Sequence, residues 1–354
     1  MPLQPIRITR ALARAAATLV CALISTWAVV PASADPVAEF YTGRTITFLC
    51  GYGVGASYDT GSRLIARHLG KYIPGKPSVV VQNMTGAGSM TLANHLYNVA
   101  PKDGATVGMF GRGLFLEALF EKPAARFDPR KFNWIGSHGR EVSVLVSGAS
   151  TPFKTVADIQ RDQMIVGASA PGADTYDYAM ILNALVGAKL KPITGYPGQA
   201  EAFLALERGE VEGNAGASIG TLMALRPAWL TEPGHLNFIE QLATEPHPTF
   251  LKGVPVITDF AQSDVDRKAL GLAFMRLKIA YAFTAPPDGP ADRVKALRDA
   301  FDAAVKDPEF LVEAERMNAD IAPVSGAQIA ALLAEAYALP KDVIARAKAA
   351  MAPP

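Results

Sequence analysis

Hydrophobic positions along the chain alternate between short runs typical of buried strands and the spacing typical of helices. Residues 45–50 (TITFLC) carry apolar β-formers, and residues 64–72 place apolar side chains three and four positions apart. The stretch 51–59 between them includes three glycines, which let the backbone turn sharply. The pattern predicts a strand, a glycine-rich turn and a helix whose N-cap is Asp59.

Two further segments repeat this order. SVVVQN (78–83) leads into a glycine turn at 85–89, and MIV (164–166) leads into a turn at 169–174, each followed by a helical pattern. Alternating strands and helices predict parallel sheets covered by helices on both faces. Ligands of such sheets bind outside the carboxyl ends of the strands, where all three turns lie.

The amino terminus carries the features of a secretory signal peptide. Three arginines precede the apolar run 15–30, and an A-x-A site occupies 32–34. The run is shorter than the roughly 20 residues that a membrane-spanning helix needs. We therefore predict that residues 1–34 are a signal peptide, that cleavage precedes Asp35, and that the product is soluble and exported.

The remaining chain is longer than one hydrophobic core usually holds, so we predict two α/β lobes. Residues 35–140 form the first part of lobe 1, and 141–276 form lobe 2. Residues 277–354 return to lobe 1 through a strand at 277–283. From Asp292 onward we expect helices only, one of them starting at a capping box of Ser325 and Gln328.

Charge and cysteine content exclude several functions. The chain has 34 basic and 33 acidic residues, and the leader holds three of the basic ones, which leaves 31 against 33. Such a balance argues against binding to nucleic acid or to a membrane surface. Cys50 is the single cysteine after the leader, and no histidines have metal-ligand spacing, so we expect no disulfide, metal or cofactor.

The glycine turns favour an anion, because the amides at a helix start lack partners and lie at the positive end of the dipole. Asp59 and Asp174 each lie at a predicted helix start. Each could cap its helix, which contributes roughly 0.5–2 kcal/mol, or could contact the ligand. Asp174 could alternatively hold an ammonium group. Arg112, after the third strand (ATVGMF), could pair with a second carboxylate or be an ordinary surface arginine.

Two motifs suggest other classes of protein, a dinucleotide-binding protein and a serine hydrolase. The glycines of 51–56 follow a strand as in dinucleotide-binding proteins, but Asn83 stands where that fold needs an acidic residue. The segment 216–220 (GASIG) matches the GxSxG elbow of hydrolases, with Ser218 as nucleophile. The later histidines, His235 and His247, lie in a segment rich in proline and glycine. A secreted serine hydrolase remains the alternative.

Four segments together resemble a known family: YTGRTIT (41–47), GYGVGASYD (51–59), VVVQNMTGAG (79–88) and APKDG (100–104). In combination they are similar to the extracytoplasmic solute receptors of tripartite tricarboxylate transporters, the TctC or Bug receptors. The similarity continues through GYPGQA (195–200) and covers essentially the whole chain after the leader.

The resemblance implies a type II periplasmic-binding-protein fold, with two Rossmann-like domains joined by two crossover strands. It implies a non-enzymatic, monomeric periplasmic receptor that closes over a small organic carboxylate and either delivers it to membrane permease subunits or acts as a sensor. In this family, backbone amides and waters of the first two loops hold the carboxylate, and the opposite lobe completes the site. Val54, Ala56 and Ser57 depart from the usual Pro- and Gly-rich first loop, which leaves the identity of the acid open.

Carried onto this sequence, the resemblance gives candidate ligand contacts in both lobes. Two or three charge-assisted hydrogen bonds from one loop, at about 1.5–3 kcal/mol each, fall short of or barely reach the roughly 8 kcal/mol that micromolar affinity requires, before the costs of association are subtracted, so both lobes must contribute. The candidates are Tyr52, Gly53, Val54, Gly55, Ser57, Asp59, Thr85, Gly86, Ala87, Gly88, Arg112, Ser169, Ala170, Asp174, Thr175, Tyr196, Pro197 and Asn214.

Overall fold

The computed structural model describes residues 35–352 except 56, 171–172, 248–250 and 318. The predicted signal peptide lies outside the described residues. The strands are β1 Thr45–Cys50, β2 Ser78–Asn83, β3 Thr106–Met109, β4 Asn133–Gly139, β5 Ser143–Gly148, β6 Met164–Gly167, β7 Leu190–Ile193, β8 Gly213–Ser218, β9 Leu236–Leu242, β10 Ala282–Ala285 and β11 Ile321–Ser325.

Helices connect these strands. They are α1 Pro36–Tyr41, α2 Ser57–Leu69, α3 Met90–Asn98, α4 Leu114–Leu119, α5 Val156–Arg161, α6 Asp174–Val186, α7 Gln199–Glu207, α8 Ile219–Leu225, α9 Ala228–Thr231, α10 Asp264–Met275, α11 Ala291–Ala304, α12 Pro308–Arg316, α13 Gly326–Tyr337 and α14 Lys341–Ala350.

The strands form two mixed sheets. The first has six strands in the order β11-β4-β10-β3-β1-β2, and the second has five in the order β7-β6-β8-β5-β9. The strand–turn–helix units predicted from the glycine turns supply parallel pairs, β1 with β2 and β3, and β6 with β7 and β8. The α/β class is therefore confirmed, but the sheets are not purely parallel, because β4, β5, β9, β10 and β11 pair antiparallel.

Two details of the carboxyl-terminal prediction are wrong. The returning strand spans only Ala282–Ala285, because residues 276–279 form a 3₁₀ turn. A strand, β11, lies inside the region expected to be entirely helical, where it pairs with β4 at the sheet edge. The capping box of Ser325 and Gln328 is confirmed and starts α13 directly after that strand.

The first sheet packs on a core rich in aromatic side chains. Phe283 on β10 lies with its ring centroid 5.2 Å from that of Phe48 and 5.5 Å from that of Phe301 on α11. A Cβ atom at Gly136 of β4 would lie only 2.1 Å from the Phe301 ring, so the glycine allows this helix to approach the sheet. A separate cluster around Phe203 and Trp229 covers the second sheet.

The chain crosses between the sheets twice, and the two crossings lie side by side. Residues 140–142 join β4 to β5, and the segment before β10 returns to the first sheet. The amide of Glu141 donates to the carbonyl of Leu277 at 2.9 Å, and the amide of Tyr281 donates to Ser137 Oγ at 3.2 Å. The lobe boundaries at 140/141 and 276/277 stay a prediction.

Candidate functional site

A cavity of about 1500 Å³ is lined by residues that follow strands of both sheets. The first sheet contributes Tyr52 after β1, Gly88 after β2 and Arg112 after β3. Asp174, at the start of α6, and Ser218, at the end of β8, line the cavity from the second sheet. This arrangement agrees with the rule that open α/β sheets bind ligands outside the carboxyl ends of their strands.

The second glycine turn adopts a left-handed backbone immediately before α3. Gly86, Ala87, Gly88 and Ser89 have φ angles of 135°, 46°, 62° and 71°. A Cβ atom at Gly86 would lie 2.5 Å from Thr91 Oγ1, so glycine is required there by space as well as by φ. The turn therefore places Ala87 and Gly88 on the cavity wall next to the positive end of a helix dipole.

Ser89 fixes this turn against the neighbouring strand end. Its side chain is buried, and Ser89 Oγ accepts a hydrogen bond of 2.7 Å from the amide of Gly111. The next amide, of Arg112, donates to the Tyr58 hydroxyl at 3.1 Å. Hydrogen bonds thus hold together the loops after three adjacent strands.

Asp59 organises the first glycine turn from inside the first turn of α2. The helix starts at Ser57, so Asp59 is the third residue of the helix and the prediction that it is the N-cap is wrong. Its buried carboxylate accepts from the Gly55 amide at 2.9 Å, from Arg63 Nε and Nη2 at 2.9 Å, and from Asn83 Nδ2 at 2.7 Å. The Arg63 hydrogen bonds lower the pKa of Asp59 to about 2, despite burial.

Aromatic rings form one wall of the cavity. Tyr52 and Tyr58 stack with ring centroids 4.4 Å apart, and Tyr281 lies 5.5 Å from Tyr58. Tyr281 in turn stacks on His138 at 4.9 Å. Burial lowers the pKa of His138 to about 4, so its ring is neutral near pH 7.

A cluster of charged side chains joins the two sides of the cavity. Arg112 Nη2 lies 2.5 Å from Asp174 Oδ2, and Arg112 Nη1 lies 3.9 Å from Glu141 Oε2. On the other side, Arg276 Nη2 lies 3.5 Å from Asp174 Oδ1. Burial alone would raise the pKa of Asp174, but Arg112 and Arg276 outweigh it and hold that pKa below its usual value. Asp174 is therefore ionised and shared by two guanidinium groups.

Ser218 of the GxSxG motif has a structural role at the end of β8. Ser218 Oγ donates to Glu141 Oε1 at 2.5 Å and accepts from the Thr221 amide at 3.3 Å, which makes Ser218 the N-cap of α8. Burial raises the pKa of Glu141 even though Arg112 and Ser218 oppose it.

Among the described residues that line the cavity are six of the predicted contacts: Tyr52, Ser57, Ala87, Gly88, Arg112 and Asp174. Some of the others have internal roles: Thr175 Oγ1 accepts from the Ser169 amide at 3.2 Å, and Asn214 Nδ2 donates to the Gly167 carbonyl at 3.2 Å. Val54 is 79% exposed at the tip of the first loop. The predicted contacts outside this lining are Gly53, Val54, Gly55, Asp59, Thr85, Gly86, Ser169, Ala170, Thr175, Tyr196, Pro197 and Asn214.

Sequence reasoning missed Glu141, Arg276, His138 and Tyr281, which all line the cavity. Each lies on or beside a crossing between the sheets rather than in a glycine turn. No local motif marks such positions, because only the tertiary fold brings them to the strand ends.

Within the described part of the chain, one group of side chains could offer three atoms to a metal ion: His68, Asp307 and Glu309. Lys71 Nζ already lies 2.8 Å from Asp307 Oδ2 and 2.5 Å from Glu309 Oε2. These residues do not line the cavity described above.

The chain forms two mixed β-sheets whose strands are connected by helices. Paired crossings join the sheets, and one cavity lies at the strand ends of both. This is the fold of a two-lobe periplasmic binding protein. Residues 62–348 match the model of the tripartite tricarboxylate transporter family receptor, TctC. The chain belongs to this family. No curated protein sequence matches the chain.

Solved structures share the fold at low sequence identity. A TctC solute binding protein from Polaromonas is 20% identical, with a TM-score of 0.66 over 84% of this chain and 96% of that one. MatC from Rhodopseudomonas palustris, solved with malate, is 20% identical, with a TM-score of 0.58 over 88% and 99%. An R. palustris protein solved with adipate is 18% identical, with a TM-score of 0.60 over 86% and 98%. None of the helices in the described residues is both long and apolar enough to span a membrane.

Proposed function

We propose that the protein is an exported, monomeric receptor that binds a small organic carboxylate in the cavity between its sheets. It presents the bound acid to membrane permease subunits of a tripartite transporter and catalyses no reaction. One observation carries this proposal: a left-handed glycine turn at a helix start and the buried guanidinium of Arg112 line the same cavity.

Both features favour a negatively charged ligand. The turn at Ala87 and Gly88 lies at the positive end of α3, where anions are stabilised by about 0.3–1 kcal/mol or more. Arg112 is only 14% exposed, so a carboxylate that reaches it forms a charge-assisted hydrogen bond shielded from water. Proteins of the same fold that were solved with malate or adipate are consistent with an acid ligand.

The hydrolase alternative has less support. Ser218 Oγ is engaged by a carboxyl, Glu141, and by the first turn of α8. In a nucleophile elbow, the hydroxyl is instead activated by a histidine base. We therefore favour binding without catalysis.

A charge inserted at Gly88 tests the placement of the ligand. Gly88 has φ of 62°, a region that Asn and Asp tolerate better than other side chains, and a Cβ atom there meets nothing within 4 Å. We expect Gly88→Asp to weaken binding of organic acids at least tenfold by calorimetry, because it brings a negative charge to the anion site. Gly88→Asn, which has nearly the same shape without the charge, should bind much more tightly than Gly88→Asp.

The ligands for this test are a panel of organic acids first screened by thermal shift on the purified protein. Equal affinities of the Asp and Asn variants would show that the acid does not approach this turn. A wild-type protein that binds no acid of the panel would contradict the function itself.

A further inference from the structure

A histidine and several carboxylates meet where the end of α2 packs against the start of α12, among residues that do not line the cavity. The side chain of His68 is 7% exposed, and its ring lies edge-on to that of Phe310, with centroids 5.5 Å apart. His68 Nε2 lies 2.7 Å from Glu313 Oε2, whereas Nδ1 has no hydrogen-bond partner among the described residues. This buried nitrogen faces Asp307, whose Oδ2 lies 3.6 Å away. An unpaired buried nitrogen is costly unless a cation or a proton lies between it and the carboxylate.

The contact with Glu313 determines which ring nitrogen of His68 is available. Burial alone would raise the pKa of Glu313, but the hydrogen bonds from His68 and Arg67 outweigh it and hold that pKa below its usual value. The ionised carboxylate accepts a hydrogen bond from the Nε2–H of a neutral imidazole, which leaves a lone pair on Nδ1. Metal-binding histidines have this same arrangement, with a carboxylate orienting one ring nitrogen while the other faces the ion.

The distances in this cluster fit a small divalent cation. In a tetrahedral zinc site with bonds of about 2.0–2.2 Å, neighbouring ligand atoms lie about 3.3–3.6 Å apart. The separation of His68 Nδ1 from Asp307 Oδ2, 3.6 Å, lies within this range. Glu309 offers a third ligand atom, since the atoms of the three residues lie within 4.8 Å of one another. The Glu309 side chain is 76% exposed, so a rotamer change can bring it closer to the ion.

The ammonium group of Lys71 lies between two of these ligands. Lys71 Nζ is 2.8 Å from Asp307 Oδ2 and 2.5 Å from Glu309 Oε2. Asp307 Oδ1 is engaged separately, because it caps α12 by accepting from the Glu309 amide at 2.9 Å. The three carboxylates of the cluster, which include Glu313, outnumber the two cations paired with them, Lys71 and Arg67. Lys71 is 41% exposed, so its side chain can withdraw into water and leave the position to a metal ion.

We propose that His68, Asp307 and Glu309 form a Zn²⁺ site, which Lys71 fills when no metal is bound. One imidazole nitrogen and two carboxylates are a ligand set that suits zinc, with water as the fourth ligand. The ion would join the end of α2 to the start of α12 and so stabilise the folded chain by mass action. Spacing along the sequence gives no sign of the site, because 245 residues separate His68 from Glu313. The site lies apart from the cavity and does not depend on the proposed function.

The test is a calorimetric titration with Zn²⁺ at pH 7 of the purified protein, freed of metal by a chelator and carrying no affinity tag. We expect the wild-type protein to bind one Zn²⁺ per chain with micromolar affinity. Lys71→Met should bind at least tenfold more tightly, because the competing ammonium is gone. His68→Gln and Glu309→Gln should each weaken binding at least tenfold, because each removes one ligand.

Lys278→Met and Glu245→Gln are the matched controls. Lys278 Nζ lies 2.5 Å from Glu245 Oε1 in an exposed ion pair outside the cluster, so both variants should bind zinc within twofold of wild type. Because Glu309 is exposed, Glu309→Gln should fold and bind organic acids as wild type does, which separates loss of zinc from loss of structure. A wild-type protein without one-to-one zinc binding would overturn the site. Unchanged affinity in both His68→Gln and Glu309→Gln would also overturn it, because the zinc would then bind elsewhere.

Discussion

Replacing Asp59 by Asn should destabilise the protein in a pH-dependent manner. Asp59 holds the first glycine turn through the Gly55 amide, α2 through Arg63, and β2 through Asn83. A carboxyl whose pKa falls from 3.8 to about 2 on folding stabilises the native state by about 2.4 kcal/mol at neutral pH. Because Arg63 is 39% exposed, solvent screens part of the ion pair, and we expect a loss of about 2 kcal/mol.

The direction of the pH dependence follows from the lowered pKa. The stabilisation is fully present above pH 3.8, where the unfolded carboxyl is also ionised, and disappears as the pH falls through about 2. The difference between wild type and Asp59→Asn should therefore shrink to about half at pH 3. Urea unfolding followed by tryptophan fluorescence at pH 7 and pH 3 measures both values.

Asp162→Asn provides the control for a surface carboxylate. Asp162 is 60% exposed and pairs with Arg161, so its replacement should change stability by less than about 1 kcal/mol. A loss for Asp59→Asn that is the same at both pH values would refute the charge-based account and leave only the altered hydrogen bonds as its cause.

Two further substitutions test Ser218, the nucleophile of the hydrolase alternative, and Glu240, a buried carboxyl whose oxygens have no hydrogen-bond partner among the described residues. Ser218→Ala removes the α8 cap and should cost about 1 kcal/mol in urea unfolding while organic acids still bind; abolished turnover of ester substrates would instead support the hydrolase alternative. Burial raises the pKa of Glu240 to about 8, and neither carboxyl oxygen has a hydrogen-bond partner within the described residues. The free energy by which this carboxyl destabilises the folded state therefore grows as the pH rises from 4.5 to about 8. Glu240→Met should therefore stabilise the protein by about 3 kcal/mol at pH 7 and by less at pH 4.5, and an effect independent of pH would contradict this reasoning.

Sequence patterns predict the parallel units of this fold because their signals are local. The glycine turns before α2, α3 and α6 each follow a strand within a few residues, and all three units are present. The antiparallel strands β10 and β11 are short, with four and five residues, and pair with strands distant in the chain. Their stability comes from tertiary pairing, which hydrophobic spacing does not report.

The residues of the candidate site also fall into two groups: those that local sequence patterns predict, and those that only the tertiary fold brings to the cavity. Gly88 and Arg112 could be predicted because each lies in the turn that follows a strand, and both line the cavity. Arg276 follows α10, where a cation is expected simply to complement the helix dipole. Only the return of the chain toward β10 brings its guanidinium beside Asp174, more than 100 residues earlier in the sequence.

The charged cluster and the crossings occupy the same place, so a ligand bound in the cavity would lie beside the segments that join the two sheets. Glu141 lies on one crossing and Arg276 at the start of the other, and the Glu141 amide bonds to Leu277 between them. Arg112 and Asp174 extend the cluster into the two sheets. On the proposed function, an acid bound at Arg112 would lie beside the first sheet and a crossing segment at once. A ligand shifts a conformational equilibrium only through its different contacts in the two states, so on the proposed function a ligand in this position would favour a closed arrangement of the two sheets.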